Sequence, residues 1–295
     1  MAAIQNVTIP IAGLAVDVYS LNTDAAVQDV AIVFLLHGRT GSAKSEYVKI
    51  MINSVFQHYD KQRPSTSESN PKPDLVIVAF DHRNHGSRLV HEPANHAWVE
   101  REDMLNPRHM IDQYALQAGA AKDISFLIDF LPSYLYPNEE RNVVDWGLIG
   151  LSLGGDASWI ALKDDPRITL GIPVIACPDY IGVMEFRAKQ SDVSTSPPSF
   201  PDSLRRYIQQ YDVLATPYNQ NSPSNPFLGK FILVLASGAD TLVPFDQFCK
   251  PFVDGLEVGV GGAKRVVVQA GVGHEITDEM REEVAKFVWF WLTKH

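Results

Sequence analysis

Only two cysteines, Cys177 and Cys249, occur in 295 residues. So few exclude a disulfide framework, and neither has the spacing of a metal site. Long hydrophobic runs are also missing: no apolar stretch approaches the roughly 20 residues that cross a bilayer, which excludes a membrane span. Residues Met1–Pro10 alternate like a strand and lack a basic segment followed by an apolar core, so they do not read as a secretory signal. These three features together lead to the expectation of a cytoplasmic protein. Lysine- and arginine-rich blocks are absent, and the net charge is −10. That balance argues against nucleic acid as a partner. There is no internal repeat and no low-complexity tract. Nothing in composition speaks to oligomeric state.

What remains is a chain with 45% hydrophobic residues, enough to bury one large core or two modest ones. A strand pair is expected around residues 5–20, broken at Ala12-Gly13. Continuous apolar runs at Ala31–Leu36, Asp74–Phe80, Val143–Ile149, Ile168–Ala176, Phe231–Ala236 and Arg265–Val268 read as buried strands. Helical spacing appears at Ser45–Tyr59, at Asp112–Leu131 (with Pro132 expected to end it), after Ser152, and at Glu275–Thr293. Gln62–Pro73 is a polar connection. Strands alternating with helices imply an α/β fold, a mostly parallel sheet flanked by helices. The stretch Pro178–Gly229 breaks the alternation. It is too long for an ordinary loop and carries six prolines between Pro197 and Pro226. It is expected to be a cap or lid inserted after the sixth core strand, with residues 1–177 and 230–295 forming the core. In open α/β sheets ligands bind at the strands' C-terminal ends, over which such an insertion can fold.

The most informative motif is Gly150-Leu151-Ser152-Leu153-Gly154, a G-x-S-x-G run between a strand and a helix. A serine at such a junction turns sharply and needs small neighbours, which Gly150, Gly154 and Gly155 supply. A serine hydroxyl attacks only when a base takes its proton, and histidine is the usual base near neutral pH. Of nine histidines, His274 stands out on a flexible loop between the last strand and the last helix. Its orienting acid is Asp240, just beyond the Phe231 strand; Asp179 is the rival. A developing oxyanion needs two donors. Leu153 N–H at the helix N-terminus is one, and Arg39 N–H in the loop after His37-Gly38 is the other, with Thr40 as the alternative. His37 is read as a fastener of that loop rather than a base, and Arg83 as a tie between loops. Thr40, Tyr180 and Met184 are candidate substrate contacts. The insertion's aromatic residues, including Phe186, Phe200, Tyr207, Tyr211 and Tyr218, either line a pocket or form a core of their own.

These landmarks resemble those of the α/β-hydrolase-fold serine hydrolases, and the likeness runs from Ala31 to His274. It rests on His37-Gly38, the turn Asp81–Ser87, the Gly150–Gly154 elbow, Gly238-Ala239-Asp240 with Val243-Pro244, and Gly273-His274. The resemblance implies Ser152 as nucleophile, His274 as base and Asp240 as acid. It implies an ester or related acyl bond cleaved through an acyl-enzyme, of carboxylesterase or thioesterase type, on a small-molecule acyl substrate and with no cofactor. Two departures stand out: Asn84 occupies a turn position where many relatives have glycine, and Arg39-Thr40 replaces a run of glycines. Other readings on the same fold are a lyase or cyclase in small-molecule biosynthesis, a small-molecule receptor, or a small peptidase.

Overall fold

A computed structural model describes residues 2–21, 27–63, 72–98 and 106–294. Most of the Gln62–Pro73 connection lies outside them. Eight strands form one sheet: β1 (Ile4–Ile11), β2 (Leu14–Leu21), β3 (Asp29–Leu36), β4 (Asp74–Phe80), β5 (Asn142–Leu151), β6 (Ile168–Val174), β7 (Phe231–Ser237) and β8 (Ala263–Gln269). Their spatial order is β1-β2-β4-β3-β5-β6-β7-β8. β1 pairs antiparallel with β2 and β2 antiparallel with β4; every pairing from β4 onward is parallel.

The helices follow as α1 (Glu46–Gln62), α2 (His109–Leu135), α3 (Leu153–Asp164), α4 (Tyr180–Gln190), α5 (Asp202–Tyr211), α6 (Lys250–Gly255) and α7 (Asp278–Leu292). Alternation along a strand explains the layering. In β3, Ile32 and Phe34 join Tyr114, Ile124 and Trp159 of α2 and α3 on one face. Val33 and Leu35 join Met51 and Phe56 of α1 and Val284 and Val288 of α7 on the other. Both faces are covered, as continuous apolar strands require.

Several boundaries differ from expectation. Pro132 does not end α2, which continues to Leu135. It falls in the last turn, where the chain leaves the helix soon after the single backbone bond that proline forfeits. α7 begins at Asp278, because Thr277 caps it by accepting the Met280 N–H at 3.2 Å. His274–Ile276 are thereby left in a loop. β6 stops at Val174, because Ile175 turns left-handed at φ 47°. The short helix α6, with the turn Phe245–Cys249 before it, was not legible from the sequence pattern. Both cysteines are free and buried. No helix among the described residues is long and apolar enough to cross a membrane.

The 178–229 stretch carries α4 and α5 and a turn at Val213–Ala215. Its buried side chains Met184, Phe200, Ile208, Val213 and Phe227 belong to the same apolar core as α2 and α3. Phe200 also lies beneath the Arg205 guanidinium, 4.4 Å from its ring centre. Tyr207 and Tyr211 are exposed.

Candidate active site

Ser152 sits between β5 and α3 at φ 53°, ψ −114°. A non-glycine residue holds such a conformation only when its surroundings enforce it. Here the enforcement is visible. The Ser152 N–H donates to the Val174 carbonyl of β6 at 2.9 Å, and its carbonyl accepts from Gly155 and Asp156 at 2.7 and 3.0 Å. A Cβ on Gly154 would stand 2.5 Å from the Leu36 carbonyl oxygen, and one on Gly155 2.5 Å from the Ala176 side chain. A Cβ on Gly150 would run into the Gly154 backbone. The elbow needs these glycines because β3, β6 and α3 crowd against it.

Topology brings the partners over this serine. The loops after β7 and β8 carry Asp240 and His274, and adjacent strands keep them together. Backbone bonds from Gly238 N–H to the Gln269 carbonyl (2.7 Å) and from Ala239 N–H to the Val272 carbonyl (2.9 Å) tie the two loops. The His274 Nε2 lies 2.8 Å from the Ser152 Oγ, and its Nδ1 lies 2.7 Å from the Asp240 Oδ2. The other Asp240 oxygen accepts from the Leu242 and Val243 N–H groups at 2.8 and 2.9 Å. The carboxylate is therefore held acceptor-side toward the ring. That arrangement places the ring proton on Nδ1 and leaves Nε2 to accept from the serine hydroxyl. Asp179 plays no part in this chain: it caps α4 by accepting the Gly182 N–H at 2.9 Å.

Leu36 of β3 lies in register with Gly150 of β5, so the loop that follows β3 reaches the elbow. Its anchors are unusually many. Gly38 N–H donates to the Tyr47 hydroxyl at 3.0 Å. His37 Nε2 accepts from the His82 N–H at 3.0 Å, and its Nδ1 donates to the Gly38 carbonyl at 2.8 Å. His82 Nε2 returns a bond to the His37 carbonyl at 2.9 Å. Burial pushes the His37 pKa down to about 4 and lowers those of His82 and His85 as well. Three neutral imidazoles thus act as fixed connectors between the β3 and β4 loops. Asp81 completes the clasp by accepting from Ala43 N–H (2.8 Å) and Ser87 N–H (2.7 Å).

Leu153 opens α3, so its N–H has no acceptor within the helix. Arg39 lines the cleft beside Ser152, and its guanidinium donates to the Asn95 carbonyl at 2.9 Å. Thr40 is differently engaged. It turns left-handed at φ 62°, and its N–H donates to His85 Nε2 at 3.1 Å. Its hydroxyl donates to the Arg39 carbonyl at 2.6 Å, and it lines neither of the spaces that meet at Ser152. Asn84 adopts φ 58°, a region asparagine tolerates better than most residues, so glycine's absence there leaves the turn intact. Arg83 binds Asp123 of α2 at 2.9 Å and ties loop to helix.

Two spaces meet at Ser152. One, about 360 Å³, is walled by Tyr47, Leu151, Ile175 and Ile276, with His274 and Arg281 at its side. The other is a crevice of about 30 Å³ whose lining includes Gln113, Asp156, Tyr180, Met184 and Arg187. Tyr180 and Met184 are both buried, and the Tyr180 hydroxyl donates to the Met110 carbonyl. Phe186, Phe200, Tyr207, Tyr211 and Tyr218 line neither space. Sequence reasoning missed Tyr47, Asp156, Gln113 and Arg187. Each lies inside a helix, where its periodicity signals only packing. The described residues contain no cluster able to hold a metal ion.

No family model matches the chain, and no curated protein matches it. Solved structures do. TT1662 from Thermus thermophilus superposes with a TM-score of 0.67 at 17% identity, over 98% of this chain and 98% of that one. The esterase Pf2001 of Pyrococcus furiosus gives a TM-score of 0.55 at 17% identity, over 99% and 94%. The acylaminoacyl peptidase of Pyrococcus horikoshii gives a TM-score of 0.59 at 13% identity, over 99% of this chain but 41% of that one. The chain has the α/β-hydrolase fold.

Proposed function

We propose that this protein is a serine hydrolase that cleaves an ester through an acyl-enzyme. The observation that carries the reading is the unbroken hydrogen-bonded series from Asp240 through His274 to Ser152, at 2.7 and 2.8 Å, on the floor of an open cleft. Ser152 Oγ attacks the acyl carbon while His274 Nε2 takes its proton. Asp240 holds the tautomer and offsets the imidazolium charge. The carbonyl oxygen, now an oxyanion, accepts from the N–H groups of Leu153 and Arg39. As the tetrahedral adduct collapses, the bond to the leaving oxygen breaks and His274 returns the proton to it. A water molecule then repeats the sequence on the acyl-enzyme, His274 takes its proton, and Ser152 is released with the acid. No step calls for a metal or an organic cofactor.

The 178–229 insertion serves in this reading as a wall of the site, through α4. The esterase among the structural neighbours supports an ester as the bond cleaved. The peptidase neighbour is matched over 41% of its own length.

The test is hydrolysis of a naphthyl acetate by wild type and Asp240→Asn. An asparagine reverses the tautomer preference at Nδ1 while keeping the shape, so kcat should fall on the order of 10³–10⁴-fold. An Asp240→Asn variant with kcat near wild type removes the acid from the mechanism.

A further inference from the structure

The two spaces at Ser152 differ in size, polarity and proximity to His274, and together they specify a substrate. The inference rests on the acyl-enzyme reading above. In that reaction His274 gives its proton to the leaving oxygen, so the leaving group occupies the side that His274 lines. That side is the roomy, mostly apolar cleft of about 360 Å³. His274 does not line the crevice of about 30 Å³, which lies toward α4 and therefore receives the acyl chain.

A crevice of that volume holds about two water-sized groups. Its walls are rigid. Met184 is buried in the core, and Tyr180 is fixed through its hydroxyl to the Met110 carbonyl. Its polarity is unusual for an acyl site. The Gln113 Oε1 is buried with no hydrogen-bond partner among the described residues and belongs to a side chain lining the crevice. Arg187, whose guanidinium is within 3.0 Å of His109 Nε2 and which is itself buried, also lines the crevice. So does Asp156, whose carboxyl accepts from Gln117 Nε2 at 2.9 Å and Cys177 N–H at 3.0 Å. A cationic occupant would face Arg187, and an anionic one would set its charge against the Gln113 acceptor oxygen. A neutral group that donates to the Gln113 oxygen and accepts from a neighbouring donor conflicts with neither.

We propose that the crevice is the acyl subsite and that it selects a short acyl chain bearing a hydroxyl group. The substrate is then an ester of a small hydroxy acid with a bulkier, largely apolar alcohol.

The experiment measures kcat/KM for naphthyl esters of hydroxyacetic, propanoic and hexanoic acids, each normalised to its rate of alkaline hydrolysis. Hydroxyacetate and propanoate have chains of equal length and differ by a hydroxyl for a methyl. Wild type should favour hydroxyacetate over propanoate by roughly tenfold or more, because a site that hydrogen-bonds a hydroxyl rejects its apolar analogue. Hexanoate should be poorest. In Gln113→Leu the hydroxyacetate-to-propanoate ratio should collapse toward one. In Met184→Ala the hexanoate-to-propanoate ratio should rise, which tests the size limit independently should Gln113→Leu fail to fold. Propanoate equal to hydroxyacetate, or hexanoate as the best substrate, overturns the inference while leaving a serine esterase. Loss of all ester hydrolysis together with failure of a fluorophosphonate to label Ser152 instead overturns the reading on which it rests.

Discussion

At the scale of single residues, Asp156 shows how the fold sets the chemistry near the elbow. Removal from water raises its carboxyl pKa to about 7, and the Cys177 N–H and the Arg187 charge only partly oppose that rise. The proton is thus held more tightly in the folded chain than in the unfolded one, where the ordinary value is 3.8. Linkage gives the sign. Between about pH 4 and pH 7 the native state keeps a proton that the unfolded state has lost, so this residue makes stability fall as pH rises through that window. Above it the full penalty of a desolvated charge remains. Asp156→Asn keeps an acceptor for the Cys177 N–H and carries no charge. Thermal unfolding of the variant and wild type should therefore diverge with pH: the variant gains roughly 2–4 °C or more at about pH 8 and little at about pH 4. A constant difference across that range would mean that Asp156 does not titrate as described. Other residues of the site were equally hidden in the sequence. Tyr47 reads as an ordinary helix residue, yet its hydroxyl holds the Gly38 N–H. A contact of that kind depends on where α1 lies against the sheet, which periodicity does not encode.

At the scale of elements, the β5–α3 junction was the most legible part of the chain. Its glycines announce close approach, and the structure supplies the atoms they approach. A Cβ on Gly154 would meet the Leu36 and His37 carbonyl oxygens at 2.5 and 2.8 Å. Leu36 ends β3 and His37 follows it into the Arg39 loop. Gly154→Ala should therefore cost about 1–3 kcal/mol in urea denaturation and lower kcat as that loop shifts. A denaturation midpoint equal to wild type would show that the junction tolerates the added carbon. The order of Ser152, Asp240 and His274 along the chain was also legible, because each follows an apolar strand into a short polar loop. Element ends were less so. Thr277 shortens α7 by a side-chain cap, and Ile175 ends β6 by a left-handed turn. Both are local events that leave no mark on an apolar pattern. α6 was missed because six residues give too little periodicity to register.

At the scale of the whole molecule, the sheet does two jobs. The order β3-β5-β6-β7-β8 places five loop-bearing strand ends side by side, and apolar layers on both faces hold those ends rigid. Site residues separated by more than a hundred positions thus meet within hydrogen-bonding distance; Ser152 and His274 are 122 apart. The break in alternation over residues 178–229 was legible. The burial of that stretch into the α2–α3 core was not, since prolines and polar residues mask the few large apolar side chains that anchor it. The central claim is that this assembly makes Ser152 a nucleophile. Its most direct test is to react the folded protein with a fluorophosphonate probe, digest it, and map the adduct by mass spectrometry. The account predicts one stoichiometric adduct on the peptide carrying Ser152, abolished in Ser152→Ala and strongly slowed in His274→Ala. Absence of any adduct on folded wild type, or undiminished labelling of Ser152→Ala, would contradict it.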